Sequence, residues 1–281
     1  GDRWRSQKIR QLSVIRARKL RKAPGMKYRH YAPKAKLMII EGDTKEAVKA
    51  IRQVAFEQER LGYKVGIIAT DETAEKYKKR YCKKYRDTGN EYTIAQNLYR
   101  VLREFDEEDV DYIYSEAFAM DGIGSAVMNR LKKAAGHHML RAEEITRLQK
   151  YRRILFLSNT DSSRGPMAAE LLRNQELLQE YDIESRGLVV PLPEPVNQKA
   201  EAVLISNGIS TEGMVSTQLE ESDITETTMV FTMESSQRER IIESFADIDP
   251  EQVFVLSQYV GDELEILDPY GGTLQSYGRV L

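Results

Sequence analysis

Short apolar runs alternate along this chain with longer stretches in which apolar residues recur at helical spacing, the pattern of strands and amphipathic helices in turn. Lys36 to Glu41 reads as a strand, and residues 44–61 place Ala47, Ala50, Ile51, Val54 and Leu61 on one helical face. Tyr63 to Thr70 is a second strand, followed by a polar helix around residues 72–84. A stronger helix starts at Thr93, with Ala95, Leu98, Tyr99, Leu102 and Phe105 on its apolar side. Strand Asp111 to Glu116 comes next, then a helix from Ile123 to Ala135 that Gly136 ends. Strands alternating with helices at this spacing predict a parallel sheet in a three-layer α/β domain over residues 36–140. Residues 141–151 read as a charged helical connector, and then the pattern restarts. Strands at 153–158, 183–190, 228–232 and 252–256, with helices at 164–180, 197–207 and 234–245, predict a second α/β domain over residues 152–281.

Composition agrees with two globular domains: 281 residues, of which 31% are charged. No apolar run approaches the roughly 18 residues that span a bilayer, and no signal-peptide pattern is present, so a cytoplasmic protein without a membrane partner is expected. The single cysteine, Cys82, excludes an intramolecular disulfide and a cysteine-rich metal site. His137 and His138 lack a Glu or Cys at ligand spacing and read as a polar helix end, so neither metal nor cofactor is expected. Charge is uneven. Residues 1–36 hold 13 of the 42 Lys and Arg but one of the 44 Asp and Glu, which leaves +12 on this arm and −14 on the rest. Such an arm suits salt-sensitive contact with RNA or DNA, and equally suits docking on the acidic body or on a neighbour.

The segment with the most chemistry is Arg153-Ile-Leu-Phe-Leu-Ser-Asn-Thr-Asp-Ser-Ser-Arg-Gly-Pro166, a buried strand, a polar loop and a helix start. Loop N–H groups, the helix N-terminus and the planar donors of Arg164 together make an oxyanion site. Asn159, Thr160, Asp161, Ser162, Ser163 and Arg164 are its candidate phosphate-binding residues, and phosphate, sulfate or a phosphorylated partner is the expected ligand. The loop has the length of the Cys-x-x-x-x-x-Arg phosphatase signature, with Ser158 in the cysteine's place.

Ala23-Pro-Gly-Met-Lys-Tyr-Arg-His-Tyr-Ala-Pro33 closely resembles the linker of long-form threonylcarbamoyl-AMP synthases, which start threonylcarbamoyladenosine synthesis on tRNA. Leu98 to Asp106 and Gly122 to Ala135 look like the accessory domain of that family. The resemblance implies residues 1–35 as basic arm and linker, and residues 36–140 as accessory domain. The YrdC-type catalytic domain of that family is absent from this sequence, so synthase activity is not expected of it alone. Given such a domain as partner, Lys27, Tyr28, Arg29, His30 and Tyr31 are the implied nucleotide contacts, with ATP or tRNA as ligand.

Residues 152–281 resemble low-molecular-weight protein tyrosine phosphatases. Ser185-Arg-Gly-Leu188, Thr232-Met-Glu234 and Asp268-Pro-Tyr-Gly-Gly272 fall where that family has its second strand, its middle helix start and its general-acid loop. The fold expected is therefore two consecutive three-layer α/β domains with mainly parallel sheets, Rossmann-like and then phosphatase-like. The resemblance implies Ser158, Arg164 and Asp268 as the catalytic set, with Arg164 on phosphate and Asp268 as the acid. A serine hydroxyl is far less acidic than a thiol, and no histidine lies nearby in sequence to act as its base. The family's loop glycine, asparagine, second cysteine and following serine are replaced by Thr160, Asp161, Ser163 and Gly165, and Asp161 is expected to set a negative charge beside the phosphate. The family continues into a closing helix, which implies a domain truncated at its C-terminus four residues past Tyr277. The expected protein is a synthase and phosphatase-like fusion that binds phosphate and hydrolyses it poorly. The rival expectation is an active phosphatase that uses Arg164 and Asp268.

Overall fold

The computed structural model describes residues 32–77, 81–85, 91–118, 122–175, 177, 179–262 and 264–280, and these divide into two compact units, the chain passing from the first to the second at Gln149 and Lys150. The implied nucleotide contacts Lys27, Tyr28, Arg29, His30 and Tyr31 lie outside the described residues.

The first unit runs β1 (Lys36–Glu41), α1 (Thr44–Arg60), β2 (Val65–Thr70), β3 (Tyr81–Tyr85), α2 (Glu91–Glu107), β4 (Tyr112–Glu116), α3 (Gly122–Ala134), β5 (Met139–Arg141) and α4 (Ala142–Gln149). Its strands form one parallel sheet in the order β3-β2-β4-β1-β5. Helix α1 starts where the Asp43 carboxylate accepts the N–H groups of Lys45 (2.8 Å) and Glu46 (3.0 Å), which satisfies two of the donors a helix start leaves open. Ile39, Ile113, Phe105 and Leu131 are fully buried in the core between the sheet, α2 and α3.

Two expectations differ from what is found here. Residues 72–84 form a short 3-10 turn, Ala74–Tyr77, and then edge strand β3. Thr73, just before the turn, and Tyr77, at its end, face inward: the Thr73 hydroxyl donates to the buried Glu116 carboxylate at 2.8 Å, and the Tyr77 hydroxyl donates to its other oxygen. Strand β3 lies at the edge of the sheet, beside β2. Residues 141–151, expected as a connector, carry the end of β5 and helix α4, whose Ala142, Ile145 and Leu148 are buried as α4 packs on α1.

The second unit runs β6 (Arg153–Ser158), α5 (Arg164–Arg173), β7 (Asp182–Gly187), α6 (Gln198–Ser206), β8 (Thr228–Thr232), α7 (Ser235–Ser244), β9 (Val253–Val255), α8 (Leu256–Tyr259) and α9 (Leu274–Gly278). The parallel order is β7-β6-β8-β9. The chain therefore leaves β6 toward β7 on one side and returns to β8 on the other. The loop after β6 sits at this switch, the place where open α/β sheets leave a crevice at the carboxyl ends of their strands. Leu155 and Leu157 of β6 pack with Val230, Ile241 and Val253, while Met167, Ala200, Leu204 and Tyr277 form a second cluster. Helix α5 ends at Arg173 and β7 at Gly187, both shorter than their expected reach of 180 and 190. Among the described residues no helix is long and apolar enough to cross a membrane.

Leu155 is fully buried in the central strand that carries the loop. Truncation by Leu155→Ala is expected to lower stability by about 2–5 kcal/mol, read as a shift of the urea midpoint for the second unit.

Candidate active site

Ser158 closes β6 opposite Gly187 of β7, and residues 159–163 form the loop before α5. The loop is held by its carbonyls. Leu188 N–H donates to the Ser158 carbonyl (3.0 Å), Val189 N–H to that of Asn159 (2.9 Å) and Asn197 N–H to that of Ser162 (2.8 Å). The Gln237 amide adds a bond to Asn159 Oδ1 at 3.0 Å, and the Thr160 and Ser162 hydroxyls meet at 2.8 Å. Asp161 adopts φ 53°, the left-handed conformation that helps gather successive N–H groups into a concave anion nest. Among the described residues, the N–H groups of Asn159, Thr160, Asp161, Ser162 and Ser163 donate to no protein acceptor. Five consecutive amides beside a helix N-terminus are what an oxyanion requires.

Close approach of β7 to this loop depends on Gly187. A Cβ there would lie 2.3 Å from Val190 Cγ2, 2.9 Å from the Thr160 carbonyl carbon and 3.1 Å from Asp161 N.

Arg164 is 1% exposed, and three of its five N–H donors bind protein. Nη1 donates to Glu234 Oε1 and to the Ile266 carbonyl (2.6 Å), and Nη2 donates to Asp268 Oδ2 at 3.0 Å. Arg164 and Asp268, far apart in sequence, are thus in direct contact. Asp268 keeps a 41% exposed side chain, and its Oδ1 accepts the Tyr270 N–H at 3.1 Å.

The Asp161 side chain lies where the sequence did not suggest. It is 2% exposed and turned into the protein, with Oδ2 accepting the Thr217 N–H at 2.9 Å. The expected negative charge beside the phosphate is corrected by this inward turn: the loop offers Asp161's amide and withdraws its carboxylate. Burial pushes the Asp161 carboxyl up from 3.8 to about 6, partly countered by the nearby Ser185 hydroxyl, the Thr217 N–H and the charge of Arg186. Ser158 is 3% exposed, and its Oγ makes no hydrogen bond to protein.

Family profiles match both halves. Residues 5–136 match the threonylcarbamoyl-AMP synthase C-terminal domain, and residues 153–281 match the low molecular weight phosphotyrosine protein phosphatase. The chain is 33% identical over 126 residues to the protein-arginine-phosphatase of Geobacillus stearothermophilus, covering 44% of this chain and 83% of that protein. Through residues 153–281, this chain belongs to the low molecular weight phosphotyrosine protein phosphatase family. In its first half it is 43% identical over 119 residues to the threonylcarbamoyl-AMP synthase of Bacillus subtilis (strain 168), covering 42% of this chain and 33% of that protein. The chain thus spans about a third of the length of the synthases it matches, and joins a segment similar to their C-terminal domain to a phosphatase-family domain. Among solved structures, the YwlE arginine phosphatase from Geobacillus stearothermophilus aligns with a TM-score of 0.43 and 32% identity, over 46% of this chain and 82% of that one.

Within the phosphatase-family domain, sequence reasoning named Ser158, Arg164, Asp268 and the loop residues as candidates but missed the residues that hold Asn159, Asp161 and Arg164. Glu234 and the Ile266 carbonyl fix the guanidinium, Gln237 fixes Asn159, and Thr217 fixes Asp161. The spacing Glu234-x-x-Gln237 at a helix start was the available signal, since the Gln237 Oε1 also accepts the Met233 and Glu234 N–H groups at 3.0 and 3.2 Å.

Two outcomes are expected from this geometry. Gly187→Ala should press on the loop backbone, costing about 1–3 kcal/mol of stability and weakening phosphate binding in calorimetric titration. Asp161 has a folded-state pKa above its unfolded value, so its contribution disfavours folding as pH rises from about 4 through about 6. Asp161→Asn keeps an acceptor for the Thr217 N–H and a residue that tolerates φ 53°. It should raise the thermal midpoint at pH 7 by an amount equivalent to about 3 kcal/mol at most, with the gain vanishing near pH 4.

Proposed function

We propose that residues 153–281 form a phosphoryl-binding domain with little hydrolytic turnover, in a fusion linked to tRNA threonylcarbamoyladenosine synthesis. The observation that supports this best is an open amide cradle at Asn159–Ser163 with a hydroxyl, Ser158, at the nucleophile position. The cradle favours phosphate or sulfate through its amides and the α5 N-terminus. Weak hydrolysis is favoured by two features. A serine hydroxyl is scarcely ionised where a loop thiol would be, and Arg164 already carries Glu234 and Asp268. An incoming phosphate competes with the exposed Asp268 carboxylate for Nη2. The names of two relatives, a protein-arginine-phosphatase and a low molecular weight protein-tyrosine-phosphatase, support a phosphorylated side chain as the ligand.

The first half supports the link to tRNA through its match to the synthase C-terminal domain. On this reading a YrdC-type catalytic domain supplies the synthase reaction, and the basic arm meets ATP or tRNA in the cytoplasm. Formation of threonylcarbamoyl-AMP when such a domain is mixed with this chain, above its own rate, is the check.

For the loop, inorganic phosphate is expected to raise the thermal midpoint, by about 1.4 kcal/mol of stability per tenfold excess over Kd, and Arg164→Ala to reduce that response. Turnover of para-nitrophenyl phosphate at mildly acidic pH should be near background for the unaltered chain and higher for Ser158→Cys. Brisk turnover by the unaltered chain, lost in Asp268→Ala and Arg164→Ala, would instead establish the active phosphatase that the Arg164–Asp268 contact brings to mind.

A further inference from the structure

Two buried oxygens in the phosphatase-family domain have no protein hydrogen bond and border the same point. They are Ser158 Oγ and Asp161 Oδ1. A Cβ on Gly165 would lie 2.9 Å from the first and 3.2 Å from the second, with Ser185 Cβ at 3.4 Å. The two oxygens are therefore no more than about 6 Å apart, within the reach of a proton relay through one water. A side chain at 165 would press on both. The other Asp161 oxygen is anchored by the Thr217 N–H, so Oδ1 is held in place toward the gap.

We propose that Asp161 is the proton acceptor for Ser158 across the gap at Gly165, so that Ser158 takes up a phosphoryl group from a bound phosphate monoester. The inference rests on phosphate binding in the loop, as proposed above, and goes beyond it by giving the serine a base that no nearby histidine supplies. The step balances. Ser158 Oγ forms a bond to phosphorus, the bond from phosphorus to the aryl oxygen breaks, the aryl oxide leaves with the electron pair, and the serine proton passes to the Asp161 carboxylate. The product is a phosphoserine, which lacks the good leaving group of a phosphocysteine, so transfer proceeds to one equivalent and release is slow. A buried carboxyl that titrates near 6 is a base matched to neutral pH. Arg186 of β7 is the charged group that acts on it, and Ser185 and the Thr217 segment bring only neutral donors.

The experiment incubates the full chain with para-nitrophenyl phosphate and reads intact mass and the modified residue by fragmentation, with phosphate occupancy measured by titration for every variant. The expected result is one phosphoryl group per chain, on Ser158, formed faster as pH rises through about 6. Asp161→Asn and Gly165→Ser should each slow labelling per occupied site by roughly a hundredfold, and Asp161→Asn should also flatten the pH dependence. Two variants that act on opposite sides of the gap guard against misfolding of either one, and thermal unfolding checks both. Labelling of both variants at the unaltered rate per occupied site overturns the role of Asp161. Phosphate binding without any labelling, or labelling elsewhere than Ser158, overturns the transfer while leaving the binding function standing. Absence of phosphate binding removes the binding function itself.

Discussion

The chemistry of the second unit depends on where the loop carbonyls point. Leu188, Val189 and Asn197, all from the segment between β7 and α6, draw the carbonyls of Ser158, Asn159 and Ser162 toward the body of the domain. Because each peptide unit has its N–H opposite its C=O, holding the carbonyls leaves the amides free. A buried or half-buried run of free amides costs free energy unless an acceptor arrives. The parallel order β7-β6-β8-β9 is what brings that segment alongside the loop, so the free amides follow from strand order as much as from local sequence.

Arg164 shows a second layer of the same design. Its guanidinium is almost wholly buried and meets two carboxylates and a carbonyl drawn from α7's start and from the segment before α9. A buried cation without such partners would be expensive. The arrangement orients the arginine, and it ties Asp268 to the guanidinium while leaving 41% of that side chain exposed.

Much of this was legible in the chain. Continuous apolar runs such as Ile154 to Leu157 announced buried parallel strands, and the interval from Ser158 to Arg164 announced the loop. What the chain hid was residues whose polar character is spent inward. Thr73 and Tyr77 looked like part of a solvated helix because their partner, Glu116, is distant in sequence and joins them only through the sheet. Asp161 looked like a charge facing the ligand, since nothing local says that Thr217 and the left-handed backbone turn its carboxylate away. Glu234 and Gln237 had a helix-start spacing but no visible tie to the loop. Helix α4 was read as a connector because eight residues with strong charge show too short an apolar stripe to declare a buried face.

The bonds that shape the loop have a wider consequence. Three of them, those that hold the carbonyls of Ser158, Asn159 and Ser162, are made between backbone atoms and do not depend on which side chains the loop carries. Mutation can rewrite the nucleophile position, the asparagine position and the residue after the arginine while the amide nest persists. On the proposed reading, anion recognition rests on backbone atoms and bond cleavage on side chains, so a substitution at the nucleophile position can change the second and leave the first.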